Sequence, residues 1–271
     1  METIRKPVVA GTFYPADENN LRDEIEQLLS EVEIDEHFEN IFGIVAPHAG
    51  YKYSGATAAK VYKLIENKNY ETVIVISPSH REYFAGSCIY EGDAYQTPLG
   101  LVKINNEMRD KFITGSDSIF LGNHGHNLEH ALEVQVPFLQ TVLSDFKIVP
   151  IVMGDQSKQY VYELAARLVD VVNEKTLIVA SSDLSHFHSK QQADLLDSGV
   201  EQSIADFDYE GLLKNLEFKN CEACGGGPIA AMMKAAEILN RTNSKIIARS
   251  DSGDVTGDDS EVVGYLSAII Y

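Results

Sequence analysis

At 271 residues and 44% hydrophobic content, the chain has material for one large α/β domain with a substantial core, expected to span residues 1–271. A formal net charge of −19 argues against the basic face that duplex nucleic acid or an anionic membrane surface requires. No apolar run approaches the roughly 20 residues of a membrane span, and the opening residues lack a secretion signal, so a cytoplasmic location is the default expectation.

Residues 1–20 read as an irregular arm with a turn at 11–15. From 20 to 32, Leu21, Ile25, Leu28 and Leu29 recur at helical spacing and predict an amphipathic helix. The short apolar runs at 41–47, 72–77 and 176–181 each predict a buried parallel strand ended by a polar or Pro-containing turn. Further strands are expected at 147–152, 245–249 and 262–270, with a strand pair within 86–104 around Gln96 to Gly100. Helices are expected at 55–65, 107–112, 129–143 with a bend at Pro137, 157–173, 190–207, 208–216 and 228–240. Residues 114–128 read as a loop. The acidic stretch 251–261 reads as a turn, since it lacks the alternating acids and final Glu of a calcium loop. Strands alternating with helices imply a three-layer α/β/α sandwich with a mostly parallel central sheet.

The chemistry gathers at the strand ends. His48, His80, Asp183 and His186 each follow one of the three apolar runs, and open α/β sheets bind ligands outside the carboxyl ends of their strands. Pro47 fixes the exit of the first strand, while Gly50 and Gly55 permit close backbone approach. Neutral imidazole is the commonest transition-metal ligand, so His48 and His80 together point to a metal. Asp183 and His186 are three residues apart. A helix starting there would be capped by Asp183, which would orient His186 as a general acid or base. Cys224 directly precedes Gly225, Gly226, Gly227 and Pro228. A thiol at such a helix start is expected to have a depressed pKa and to serve as a thiolate ligand. Cys221 reads as a small buried residue, and one Cys-x-x-Cys is too little for a closed structural zinc site. In a second histidine cluster, His130 and Glu133 read as hydrogen-bonding supports of the site. His124 and His126 read as loop residues, and His188 as a solvated bystander. No phosphate-binding glycine loop and no Gly-x-Ser-x-Gly elbow occurs.

Seven segments fall in order along the chain: Ala10-Gly-Thr-Phe-Tyr-Pro15, Ala46-Pro-His-Ala-Gly-Tyr-Lys-Tyr-Ser-Gly55, Ser77-Pro-Ser-His80, Glu129-His-Ala-Leu-Glu-Val-Gln-Val-Pro-Phe138, Ser181-Ser-Asp-Leu-Ser-His186, Cys224-Gly-Gly-Gly-Pro228 and Ser252-Gly-Asp-Val-Thr-Gly257. Together they resemble the Memo family over nearly the whole chain. The resemblance implies an α/β/α fold similar to class III extradiol dioxygenases, which hold non-haem iron with two histidines and a glutamate beside a histidine base. By the family pattern His48, His80 and Cys224 match the metal positions, Asp183 and His186 the neighbouring polar pair, and His130 and Glu133 the supports. Cys224 stands where the dioxygenases have a carboxylate. A thiolate is softer and favours copper, zinc or iron with altered redox behaviour. Prokaryotic members of the family are named for a neighbourhood with AMMECR-type and radical SAM proteins, which are the partners the resemblance implies.

Three readings follow. The first is an iron- or copper-dependent redox enzyme, dioxygenase-like, acting on a small molecule, with zinc as a further candidate metal. The second is a non-catalytic binding module whose vestigial pocket holds a peptide or partner protein, as the signalling role of eukaryotic relatives implies. The third is hydrolysis by a metal-bound water.

Overall fold

The computed structural model describes residues 2–34 and 36–271. Strand β1 (Ile4–Arg5) opens the arm, and Asp17 caps helix α1 (Glu18–Ser30) by accepting the Asn20 N–H at 3.0 Å. Then follow β2 (Gly43–Ala46), α2 (Tyr51–Lys63), β3 (Thr72–Pro78), β4 (Ser87–Tyr90), β5 (Ala94–Thr97), β6 (Gly100–Lys103), α3 (Asn106–Ile113), β7 (Ile119–Gly122) and α4 (Gln135–Val142). The second half runs β8 (Lys147–Met153), α5 (Lys158–Val171), β9 (Thr176–Ser181), β10 (His186–His188), α6 (Lys190–Ala205), α7 (Tyr209–Glu217), α8 (Gly226–Ile238), β11 (Ser244–Asp251), α9 (Gly253–Thr256) and β12 (Val262–Ile270).

The main sheet has the order β10-β12-β2-β9-β3-β8-β4-β7, with β11 also paired to β12, while β1, β5 and β6 form a small second sheet. Its centre is parallel: β2 pairs with β9, β9 with β3, and β3 with β8. Towards the flanks β12 runs antiparallel to β2, and β4 antiparallel to β8. The expected α/β/α sandwich is present, with a mixed sheet whose parallel character is confined to the middle and the outer β4–β7 pair.

Residues two apart on a strand share a face. Val73 and Val75 pack with Leu21 and Ile25 of α1, Ala59 and Tyr62 of α2, and Phe138 and Leu139 of α4. Ile74 and Ile76 pack on the opposite side with Leu164 and Leu168 of α5, Val200 of α6, Leu212 of α7 and Ile229 of α8. Helices on both faces explain why the central strands read as continuous apolar runs. Among the described residues no helix is long and apolar enough to cross a membrane.

Several local expectations need correction. Residues 114–128 contain β7, a four-residue strand whose pairing with β4 supplies a partner that short-range pattern does not reveal. The 86–104 stretch holds three strands: β5 and β6 make the hairpin, and β4 joins the main sheet. Residues 129–130 are irregular, 131–134 form a turn, and α4 begins only at Gln135. Pro137 is its third residue, where the missing N–H costs no intrahelical bond, so it starts the helix instead of bending it.

No helix begins at Asp183. The Leu184 N–H goes to the Gly264 carbonyl at 2.8 Å and the Ser185 N–H to Asp197 Oδ1 at 3.0 Å. With those donors taken by tertiary partners, the chain stays extended, and His186 and His188 lie on β10. His188 is no bystander, since its Nε2 meets the Glu222 carboxylate at 3.0 Å. The acidic turn carries α9, and Asp251 there pairs with Lys190.

Candidate metal centre

Adjacency in the sheet assembles the site. β2, β9 and β3 are neighbours, so the residues beyond their carboxyl ends, His48, Asp183 and His80, sit side by side. After β2 the chain turns to α2 on one face, and after β9 it reaches α6 on the other. A crevice opens where successive connections diverge in this way. Cys224 arrives from the turn before α8, held by its N–H to the Asp183 carbonyl at 3.2 Å. Gly225 makes that approach feasible, because a Cβ there would stand 2.2 Å from the Ser181 carbonyl oxygen.

One ligand atom from each of His48, His80 and Cys224 lies within 4.8 Å of the others. His48 is buried, with Nε2 3.1 Å from Cys224 Sγ. Its Nδ1 is 2.9 Å from Ser181 Oγ. The Ser181 hydroxyl donates to the Ala131 carbonyl at 2.7 Å, so towards His48 it accepts. His48 therefore carries its proton on Nδ1 and turns the Nε2 lone pair to the cluster. Gln135 Nε2 also donates to Ser181 Oγ, at 2.7 Å, and its Oε1 accepts from the Tyr62 hydroxyl at 2.7 Å. Burial, then the neighbouring His80, keeps the His48 pKa well below the usual histidine value, so the ring is neutral.

His80 is arranged in the same way by a different partner. Its Nδ1 lies 2.9 Å from Glu129 Oε1 and its backbone N–H donates to Glu129 Oε2 at 2.6 Å. The Ala131 N–H also donates to Glu129 Oε1 at 2.9 Å. Burial pushes the Glu129 carboxyl up, but His80 and these N–H groups outweigh it and hold it at about 2. A carboxylate on the far nitrogen of a ligand histidine fixes its tautomer and raises its basicity. His130 completes a triangle of imidazoles, with ring centroids 4.8 Å from His80 and 5.5 Å from His48. Its pKa is lowered to about 4 by burial and then by His48.

The expected depressed pKa of Cys224 is overturned. Burial and then the Asp183 charge push the thiol well up, so without a metal it is protonated. A metal ion would have to expel that proton on binding. Asp183 also departs from its expected role. Its Oδ1 accepts the His48 N–H at 2.7 Å, so it braces the His48 turn and makes no hydrogen bond to His186. Burial raises its pKa, opposed by that N–H. His186 instead lines a cleft of ≈ 1200 Å³ together with Cys224, Leu184, Gln156 and Lys214. Glu133 acts at one remove. It binds Arg5, the Val8 and Val9 N–H groups and the Tyr14 hydroxyl, and so holds the arm whose Phe13 ring packs 4.9 Å from His130.

His126, expected as a loop residue, is fully buried and bonded to Tyr95 and the Cys88 carbonyl. The orienting groups Glu129, Ser181 and Gln135 were not legible beforehand as site residues. Glu129 adjoins His130 in sequence, but only the fold brings its carboxylate to His80.

The donor set fits a transition metal. Two imidazoles and a thiol suit copper, iron or zinc, and each imidazole is already fixed by a partner on its other nitrogen.

Comparison with known proteins agrees with this architecture. The family model described as Memo-like protein matches residues 5–269. MEMO1 family proteins from Methanosarcina mazei and Methanosarcina barkeri are 37% and 38% identical, over 98% of this chain and 99% and 100% of theirs. One from Nitrosopumilus maritimus is 37% identical over 97% of this chain and 98% of its own. The crystal structure of uncharacterized protein JW3007 from Escherichia coli K12 superposes with a TM-score of 0.53 at 14% identity, covering 75% of this chain and 87% of that one, which is a likeness of fold alone. With a match from one end to the other and relatives of equal length, this chain belongs to the Memo family.

Proposed function

We propose that this chain is a metal-dependent redox protein in which His48, His80 and Cys224 bind iron or copper, and that a small molecule reaches them for a dioxygenase-like, oxygen-linked reaction. The observation that carries this reading is the convergence of three donor groups within 4.8 Å, two of them imidazoles pinned at the opposite nitrogen. Thiolate and imidazole donors favour these metals over magnesium, calcium or manganese. A bound iron or copper would supply one-electron redox chemistry and a position for substrate; zinc would supply Lewis acidity alone.

The chain's own residues would do the rest. The cleft beside Cys224 admits the small molecule, and His186 on its wall holds or returns a proton at a ring nitrogen. Ser181 and Glu129 keep the two ligand rings from rotating, and Asp183 holds the His48 backbone.

The test is elemental analysis of protein purified without oxygen, wild type against His48→Ala. Near-stoichiometric iron or copper in the wild type, lost in the variant, is expected. Oxygen uptake should then vanish in His186→Ala while the metal stays. A metal-free wild type after anaerobic reconstitution overturns the reading.

A further inference from the structure

We propose that Arg5, far from the cluster in sequence, is a positioning residue for the metal centre: it clamps the one segment that orients both ligand imidazoles. The proposal rests on the metal reading above. Arg5 is buried, and its three guanidinium nitrogens each bind a different part of residues 126–133. Nε donates to the His126 carbonyl at 3.1 Å, Nη1 to the Glu133 carboxylate and Nη2 to the Glu129 carbonyl. The planar fork spreads its fixed donors over three nitrogens and so reaches three separated acceptors, whereas lysine concentrates its donors on one nitrogen.

What is clamped matters to the centre. Within the same stretch, the Glu129 carboxylate fixes His80 and the Ala131 carbonyl takes the Ser181 proton. Gln135, one turn on, donates to the same Ser181 oxygen that faces His48. Both ligand tautomers are therefore set from residues 129–135. The segment is tied to the arm a second time, since Glu133 accepts from the Val8 and Val9 N–H groups and from Tyr14. Loss of the fork would let the segment 129–134 move, and Glu129 and the Ala131 carbonyl would move with it. The ligand nitrogens would then no longer be held with their lone pairs inward.

Cobalt(II) is the probe, because its visible absorption reports ligand number and thiolate coordination independently of any turnover. Metal-free wild type, Arg5→Lys and Glu133→Gln are titrated with cobalt(II), with circular dichroism and thermal melts alongside. Arg5→Lys keeps the charge and loses the fork. It is expected to stay folded, to bind cobalt roughly tenfold more weakly or worse, and to show a changed visible spectrum. Glu133→Gln, which keeps one carbonyl acceptor, is expected to shift in the same direction by less, and it carries the test should Arg5→Lys fail to fold. A purely structural role predicts lower melting temperatures with cobalt affinity and spectrum unchanged in the folded variants, and that result overturns the clamp. A wild type that binds no cobalt overturns the metal reading itself and the clamp with it, an outcome distinct from an unchanged variant.

Discussion

Ser181 shows how much a single hydroxyl decides. It has one proton, and the Ala131 carbonyl takes it, so the oxygen faces His48 and Gln135 as an acceptor. Ser181→Ala leaves the Gln135 and His48 N–H groups short of a buried partner, at a cost of about 1–3 kcal/mol. It also frees the His48 ring to exchange tautomers. Metal affinity should fall by roughly tenfold or more, since groups that orient ligands carry effects of that size. Denaturant melts and metal titration check the two parts separately, and unchanged affinity in the folded variant would count against the tautomer argument. At this scale His48 and His80 were legible in the sequence because they sit where apolar runs stop, and Cys224 because it directly precedes the glycine run of a helix start. Asp183 was legible as a residue but not in its role. Proximity to His186 in sequence suggested a pair, yet the Asp183 carboxylate is taken by the His48 backbone.

Among the elements, the start of α8 bears most on the site. Gly225 lets the chain lie against the end of β9, and that contact delivers Cys224 to His48. A methyl group at this position would meet the Ser181 carbonyl at 2.2 Å and the Ser182 Cβ at 2.8 Å, and a strand buried in a sheet cannot yield. Gly225→Ala should cost about 1–3 kcal/mol by overpacking. It should weaken metal binding as well, because Cys224 moves with the helix start; the visible spectrum of the cobalt-loaded protein would show weaker thiolate coordination. A loss of stability with intact thiolate coordination would show that the approach tolerates adjustment. The glycine run itself marked this helix start in the sequence. The strand-end reading of 176–181 also held, whereas β7 and the non-helical segment 129–134 did not announce themselves. A four-residue strand is defined by its partner, and the 129–134 segment by Arg5, which is more than 120 residues away along the chain.

For the molecule as a whole, the buried histidines and Glu129 weaken the fold in acid, opposed by Asp183 and Asp197, whose carboxyls burial raises. His126 is neutral in the fold, with burial and then Arg5 lowering its pKa to about 3 against the Cys88 hydrogen bond. The unfolded chain binds a proton there near pH 6.5, so the unfolded state holds more protons and stability falls as pH drops. The contribution is fully present above pH 6.5 and is lost progressively as pH falls towards 3, on the order of 4–5 kcal/mol for this fully buried group. Glu129 adds a second loss between about 4.5 and 2. Denaturant midpoints of metal-free protein at pH 7, 5.5 and 4 should therefore decline steadily, and His126→Gln should flatten the slope between 7 and 5.5; an equal slope in both proteins would sink the assignment. The sequence by itself determined the α/β layering, the strand-end histidines and the family, because alternating apolar runs and short turn motifs are local signals. Only the tertiary structure decided which nitrogens are free, which carboxylate serves which ring, and that the central sheet is parallel in the middle and mixed at its flanks. Those depend on hydrogen-bond partners brought together from residues 5, 129, 135 and 181, and no local pattern records a contact across that distance.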